Sequence, residues 1–149
     1  MASPRHVTSL VGATGGVERV VTDDDTAITI GSGDLPVLAT PIMIAMMEAA
    51  ACAALVSHVA PGSTSVGSSV DVRHRAPSPV GAHVRASATV TGIDGAKVTF
   101  DVTAIHDAGD GVWVEIGRGT HARVIVDRAA FGPPPIPRSR AAGDPEPQA

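Results

Sequence analysis

The chain has 149 residues, 44% of them hydrophobic, with a formal charge of −4 and a single cysteine. That is enough for one globular domain burying roughly two thirds of its unfolded surface. One cysteine excludes a disulfide framework and fits a reducing compartment. With no run of Lys or Arg and only three aromatics, Phe100, Trp113 and Phe131, the chain offers neither a phosphate-tracking patch nor a base-stacking platform. Nucleic acid is therefore not an expected partner.

Residues 1–16 are small and polar, with Gly12, Gly15 and Gly16, and are expected to form a poorly ordered lead-in. They lack the apolar h-region of a secretory signal, so a cytoplasmic location is expected. Residues 17–21 and 26–30 predict two short strands, or one strand interrupted at Thr22-Asp23-Asp24-Asp25. The three aspartates predict a solvated turn, because the alternating oxygen ligands and distal glutamate of a calcium loop are missing. Residues 31–36, Gly-Ser-Gly-Asp-Leu-Pro, form a flexible connector.

Between residues 35 and 70 the only Asp, Glu, Lys or Arg is Glu48. Thr40 is a good N-cap and Pro41 a good first helical residue, since proline lacks only an N–H that is orphaned there anyway. The Ala- and Met-rich run that follows predicts a helix ending near Ala60, before Pro61-Gly62. Its apolar residues cover the whole circumference, the mark of a helix buried on nearly all sides. Pro41 and Pro61 leave too short a span for a membrane crossing. A carboxylate on a buried helix costs several kcal/mol, roughly, unless it is paired, hydrogen-bonded or protonated. Glu48 is thus either a structural carboxylate reaching a polar partner or a chemical one. Cys52, one turn later, predicts a small core residue, with no basic neighbour in sequence to activate it.

Residues 65–75 alternate, so that Val66, Ser68, Val70, Val72 and His74 share the face expected to cover the helix. His74 is then aimed at the interior that holds Glu48. Three further alternating stretches, 82–93, 97–106 and 112–126, carry apolar registers at Val84, Ala86, Ala88, Val90; Val98, Phe100, Val102, Ala104; and Val112, Val114, Ile116. Glycine-bearing turns join them as antiparallel hairpins. Gly117-Arg118-Gly119 predicts a bulge or close backbone approach in the last strand. From residue 132 onward the tail holds six of the twelve prolines and is expected to be disordered, leaving 17–131 as the folded domain. His58, His83, His106 and His121 are expected to be structural or exposed, and none pairs with another at ligand spacing on a helix.

One long helix followed by an antiparallel meander suits an α+β architecture, a curved sheet wrapped around the helix. Ala39-Thr40, the Met47-Glu48-Ala49 turn with Cys52 after it, Val66-Gly67, Val72-Arg73-His74 followed by Pro77, and Gly117-Arg118-Gly119-Thr120-His121-Ala122-Arg123 resemble the fluoroacetyl-coenzyme A thioesterase family of the hotdog fold. The similarity runs from about residue 17 to 131. It implies a catalytic set of Thr40, Glu48 and His74, with Gly67 and Arg123 contacting the thioester substrate. It also implies a homodimer with sites at the subunit interface and no metal or other cofactor, coenzyme A being part of the substrate. The fluoroacetyl-specific member carries a longer, phenylalanine-bearing lid before the catalytic threonine. Here the matching residues 31–38 are short and contain no aromatic, a departure that bears on acyl selectivity more than on hydrolysis.

The residue types suit that chemistry. Thioester cleavage needs a nucleophile or activated water, a proton carrier and donors for the developing oxyanion, and a thiolate leaves readily without a metal. Glu48 supplies the attack directly or through water; His74 orients and exchanges the proton; backbone N–H groups at Gly67 or the helix start hold the oxygen, where the helix dipole favours negative charge. Arg123 offers a fixed positive charge to coenzyme A phosphates or to a carboxylate, or else a surface salt bridge. Thr40 and Glu48 lie about 12 Å apart along a helix, so Glu48 of one subunit facing Thr40 or His74 of its twin closes the set most easily. The expected function is hydrolysis of a short or small acyl-CoA. A hotdog enoyl-CoA hydratase and a non-catalytic acyl-CoA binding module are the alternatives.

Overall fold

The computed structural model describes residues 10–132. The expected tail beyond Gly132 and the first nine residues of the lead-in lie outside that span. Five strands, β1 (Thr14–Val20), β2 (Ser63–His74), β3 (His83–Asp94), β4 (Lys97–Asp107) and β5 (Trp113–Asp127), form one antiparallel sheet in the order β1-β3-β4-β5-β2. Two helices, α1 (Ala27–Ile30) and α2 (Thr40–Leu55), lie between β1 and β2, and a short α3 (Arg128–Phe131) follows β5. The sheet packs on α2, as the meander after a single long helix predicts. No helix among the described residues is long and apolar enough to cross a membrane.

The core is the inward register of the central strands set against one side of α2. Val84, Ala86, Ala88, Val90, Val98, Phe100, Val102 and Ala104 are each at most 1% exposed, and Met43, Met47, Ala50 and Ala51 meet them from the helix. Removing that apolar surface from water is the main stabilising contribution, roughly 1.5–3 kcal/mol for each large side chain. On β5 the expected register holds at Ile116 but not at Val112 or Val114, which are exposed. The register slips by one residue at Ile116, beside the Gly117–Gly119 run expected to disturb the strand. A Cβ on Gly117 would meet the Met43 side chain. The residues before it therefore run past the first turn of α2 and lose their cover.

The strand β1 starts at Thr14, inside the expected lead-in. Gly15 explains why this segment is ordered, because it lets β1 cross α2 in backbone contact. A Cβ there would run into the Ala50 carbonyl oxygen and the Ala54 nitrogen, and helix backbone cannot give way as a flexible side chain does. Gly15→Ala is expected to destabilise the fold by about 3 kcal/mol, the upper range for overpacking. Urea unfolding checks this, and an unchanged midpoint would contradict the close approach.

Residues 26–30 form a helical turn instead of the expected strand. Thr26 caps it by accepting from the Thr29 N–H at 3.4 Å, and Gly31 ends it in the left-handed region at φ 86°. The aspartate run is not all solvated. Asp25 is 2% exposed, and its carboxylate takes Arg19 Nη2 at 2.9 Å, Arg19 Nε at 3.1 Å and the Thr22 N–H at 3.0 Å. Burial alone would raise its pKa, but the Thr22 backbone, Arg19 and the Thr22 hydroxyl together hold it below the usual carboxylate range. The Asp25 carbonyl then accepts from Ala39 N–H at 2.8 Å, which fixes the entry to α2.

That anchor makes Ala39, not Thr40, the N-cap. Ala39 is extended and its carbonyl accepts from Ile42 and Met43, so Thr40 enters as the first helical residue with its hydroxyl free for other work. The helix ends at Leu55, five residues before the expected stop, where the His58 and Val59 N–H groups both bond to the Leu55 carbonyl. Nor is α2 wrapped on all sides. Ala45, Ala49, Cys52, Ala53 and Val56 are exposed, so Cys52 is not a core residue. The exposed stripe is as apolar as the buried one, which is why composition around the helix does not distinguish them. Beside it runs β2, an edge strand with one side unpaired.

Candidate active site

Two polar clusters flank α2, one near its first residue and one beside its middle. In the first, the Thr40 hydroxyl lies 2.7 Å from His74 Nδ1. His74 is the last residue of β2, and the pairing of Val70, Val72 and His74 with His121, Gly119 and Gly117 places it on the inner side as expected. Its other nitrogen, Nε2, is buried without a hydrogen-bond partner among the described residues. Burial holds the imidazole below the ordinary histidine range, with the Ala76 backbone opposing. Burial thus favours the neutral form of the imidazole.

The sign of this shift gives a test. A group with a lowered folded-state pKa binds its proton more readily in the unfolded chain. Its contribution to stability is whole above the ordinary value of about 6.5 and declines as pH falls from there toward the lower folded value. An NMR titration of the His74 ring is expected to show a midpoint below about 6.5, and a midpoint above it would contradict control by burial.

A cleft of about 260 Å³ opens onto this pair, lined by Ser32, Val37, Leu38, Thr40, His74 and Pro77 among others. Its lid is the connector after α1. That segment is tied down where Leu38 N–H donates to the Ser78 carbonyl at 2.9 Å and Ala27 N–H to the Val37 carbonyl at 2.8 Å. The exposed residues 31–36 between these ties carry no aromatic.

The second cluster is built on Arg123 of β5, only 7% exposed. Its Nε donates to Ser65 Oγ at 2.8 Å and its Nη2 to the Ser65 carbonyl at 3.1 Å. Its Nη1 stands 3.6 Å from Glu48 Oε2. The Glu48 side chain is 41% exposed, so within one protomer it is not the deeply buried carboxylate that the sequence predicts. It projects from the border of the apolar stripe, toward the unpaired side of the molecule. Gly67 lies against this pair, since a Cβ there would stand 2.9 Å from Glu48 Oε2 and 3.4 Å from Arg123 Nη1.

Gly67 reaches this position through a bulge in β2. The register slips between Gly67 and Ser69, so Ser65 and Gly67 turn toward Arg123 and Glu48 while Val66 and Ser68 leave the inner register expected for them. The structure therefore brings Thr40 to His74, and Glu48 to Arg123 and Gly67, but does not join the two groups within one chain. Sequence reasoning did not single out Ser65, and it expected His121 to be structural or exposed. His121 is buried, 3% exposed, and 3.3 Å from Arg123 Nη1. The signal was there in the two-residue spacing of His121 and Arg123, which puts both side chains on one face of a strand. His106 is a buried structural residue, 2.6 Å from Ser78 Oγ.

The five-stranded antiparallel sheet packed on a single central helix is the hotdog fold, and its relatives of known structure belong to the hotdog thioesterase superfamily. A thioesterase superfamily protein from Thermus thermophilus is similar at 30% identity, with a TM-score of 0.72 over 81% of this chain and 86% of its own. Residues 21–129 match the FlK fluoroacetyl-CoA-specific thioesterase family, and the chain belongs to that family. The fluoroacetyl-CoA thioesterase of Streptantibioticus cattleyicolor is 35% identical over 95 residues, 64% of this chain and 65% of that protein, just under two thirds of its length. A solved structure of the fluoroacetyl-CoA thioesterase FlK superposes with a TM-score of 0.71 at 31% identity, covering 81% of this chain and 90% of that one. Variants of that thioesterase have been solved with acetyl-CoA and with fluoroacetate and CoA.

Proposed function

We propose that the protein is an acyl-CoA thioesterase acting on a short or small acyl group, with its site closed between two copies of the chain. The observation that carries this reading is the separation of the two clusters along β2, Gly67 with Glu48 in its first half and His74 with Thr40 at its far end. A two-fold axis near the middle of β2 pairs two copies of this edge strand antiparallel. The Gly67 half of one strand then lies beside the His74 half of its twin, and the apolar stripes of the two α2 helices are covered together. Glu48 of one subunit thereby faces Thr40 and His74 of the other.

In this arrangement Glu48 takes the proton of a water that attacks the thioester carbonyl, or attacks the carbonyl itself to give an acyl anhydride and thiolate, the anhydride then being cleaved by water to free acid and Glu48. His74, oriented by Thr40, relays the proton given up by that water to the departing thiolate. The developing oxyanion is held by backbone N–H groups at Gly67 or at the positive end of α2, and Arg123 meets the substrate as a fixed cation. The cleft beside Thr40 is at the lower edge of ligand-pocket sizes, about 300–1,000 Å³, which suits a small acyl group. No metal or other cofactor takes part, and the partners are acyl-CoA and a second copy of the chain in the cytoplasm. The residue matches with the family and the CoA-bound relatives support this reading. Two assays on crotonyl-CoA test it. Release of thiol in step with loss of the enoyl-thioester absorbance supports hydrolysis; loss of that absorbance without thiol release identifies a hydratase instead.

A further inference from the structure

His121 is held from three sides. Its Nδ1 lies 2.7 Å from the Ser69 carbonyl oxygen, its Nε2 lies 3.3 Å from Arg123 Nη1, and its ring stacks on Phe100 with centroids 5.8 Å apart and planes at 26°. These partners fix its tautomer. A carbonyl oxygen only accepts, so Nδ1 carries the hydrogen; a guanidinium only donates, so Nε2 presents its lone pair to Arg123. A second proton would set N–H against N–H and release the guanidinium. The charged groups facing the ring are Arg123 on its own strand and, beyond it, Glu48 on α2; β4 contributes the apolar Phe100 and β2 contributes backbone.

The consequence falls on Arg123. Ser65 takes Nε and one hydrogen of Nη2, which fixes that side of the guanidinium. The Nη1 group, the one nearest Glu48, has only His121 as a bonded partner among the described residues, because 3.6 Å to Glu48 is beyond a hydrogen bond. One hydrogen on each terminal nitrogen is left for substrate or carboxylate. We propose that His121 is a positioning residue for thioester hydrolysis, its Nε2 lone pair aiming the Arg123 guanidinium at the space between Glu48 and Gly67. This rests on the thioesterase reading above and extends it to a residue that does not touch the reacting atoms.

The test compares His121→Phe, His121→Gln, Arg123→Ala and the His121→Phe/Arg123→Ala double variant with the wild type, by steady-state release of coenzyme A from acetyl-CoA. Phenylalanine keeps the stack on Phe100 and removes the acceptor. Glutamine places an amide oxygen near the Nε2 position and restores it. Phenylalanine is expected to lower kcat about ten- to hundredfold, the scale of a small misplacement of a catalytic group, with KM changed much less. Glutamine should recover most of that loss, and the double variant should be no slower than Arg123→Ala alone, the non-additivity of two residues acting through one contact. Should the phenylalanine variant fail to fold, His121→Gln near the wild-type rate with His121→Asn slow and folded supports the same conclusion. A wild-type rate in His121→Phe, equal loss in the glutamine variant, or losses that add in the double variant would overturn the proposal while leaving the thioesterase standing. Wild-type protein without turnover would sink both.

Discussion

Replacing Glu48 with glutamine is expected to lower acyl-CoA hydrolysis by at least about a hundredfold, the usual scale for removing a general base or nucleophile. The substitution keeps the shape and a hydrogen-bonding oxygen but removes the charge that attacks or deprotonates water. Binding of acyl-CoA should survive, because Glu48 is half exposed at the border of an apolar stripe and supports no core residue. The fold should survive too, since Arg123 keeps both bonds to Ser65 and its contact with His121. Steady-state thiol release on Glu48→Gln, with thermal unfolding as the control, checks this. A near-native rate would remove Glu48 from the mechanism.

His74→Ala is expected to cost as much, again at least about a hundredfold, and the pair of variants tests how the site is assembled. If Glu48 works with His74 of the twin, a dimer of one Glu48→Ala chain and one His74→Ala chain has one site with both lesions and one with neither. Random exchange makes half the dimers mixed, so the mixture should regain about a quarter of the wild-type rate. If both residues act within one chain, every site carries a lesion and mixing restores nothing. The proposed arrangement predicts the first outcome, because within one chain Thr40 and His74 touch at 2.7 Å while Glu48 lies 3.6 Å from Arg123.

The fold was largely legible because strand periodicity is local. The alternation of Val84 to Val90 and of Val98 to Ala104 marked the inward face correctly, since those strands lie squarely over the helix. Alternation failed where a bulge adds a residue, at Ser68, and where a strand outruns its cover, at Val112 and Val114. The Gly117–Gly119 run marked the disturbance in β5 but not how far its cover extends, and the alternating residues of β2 did not mark its bulge. Around α2 the sequence misled for a different reason. An exposed stripe of Ala and Cys has the same hydrophobicity as one that faces the core, so Cys52 and Glu48 looked buried from composition alone.

The candidate site was legible as residues but not as an assembly. Glu48 stood out as the only charge in a long apolar stretch, and His74 as the titratable end of an alternating strand. The carboxylate lies with Arg123, the imidazole with Thr40, and the space between them belongs to an edge strand that a single chain leaves open. Asp25 shows the converse, a residue that looked like part of a solvated turn and is instead the buried post on which the start of α2 is hung.

The most direct measurement is release of free coenzyme A, followed with a thiol reagent, from a panel running from acetyl- and fluoroacetyl- to benzoyl-CoA, with Glu48→Ala as the blank. Turnover on the small acyl groups that disappears in the variant is the predicted result, and the order within the panel ranks the acyl pocket behind the non-aromatic lid. Acyl-CoA that binds but is released intact by the wild-type protein across the whole panel would contradict a thioesterase and leave a binding module.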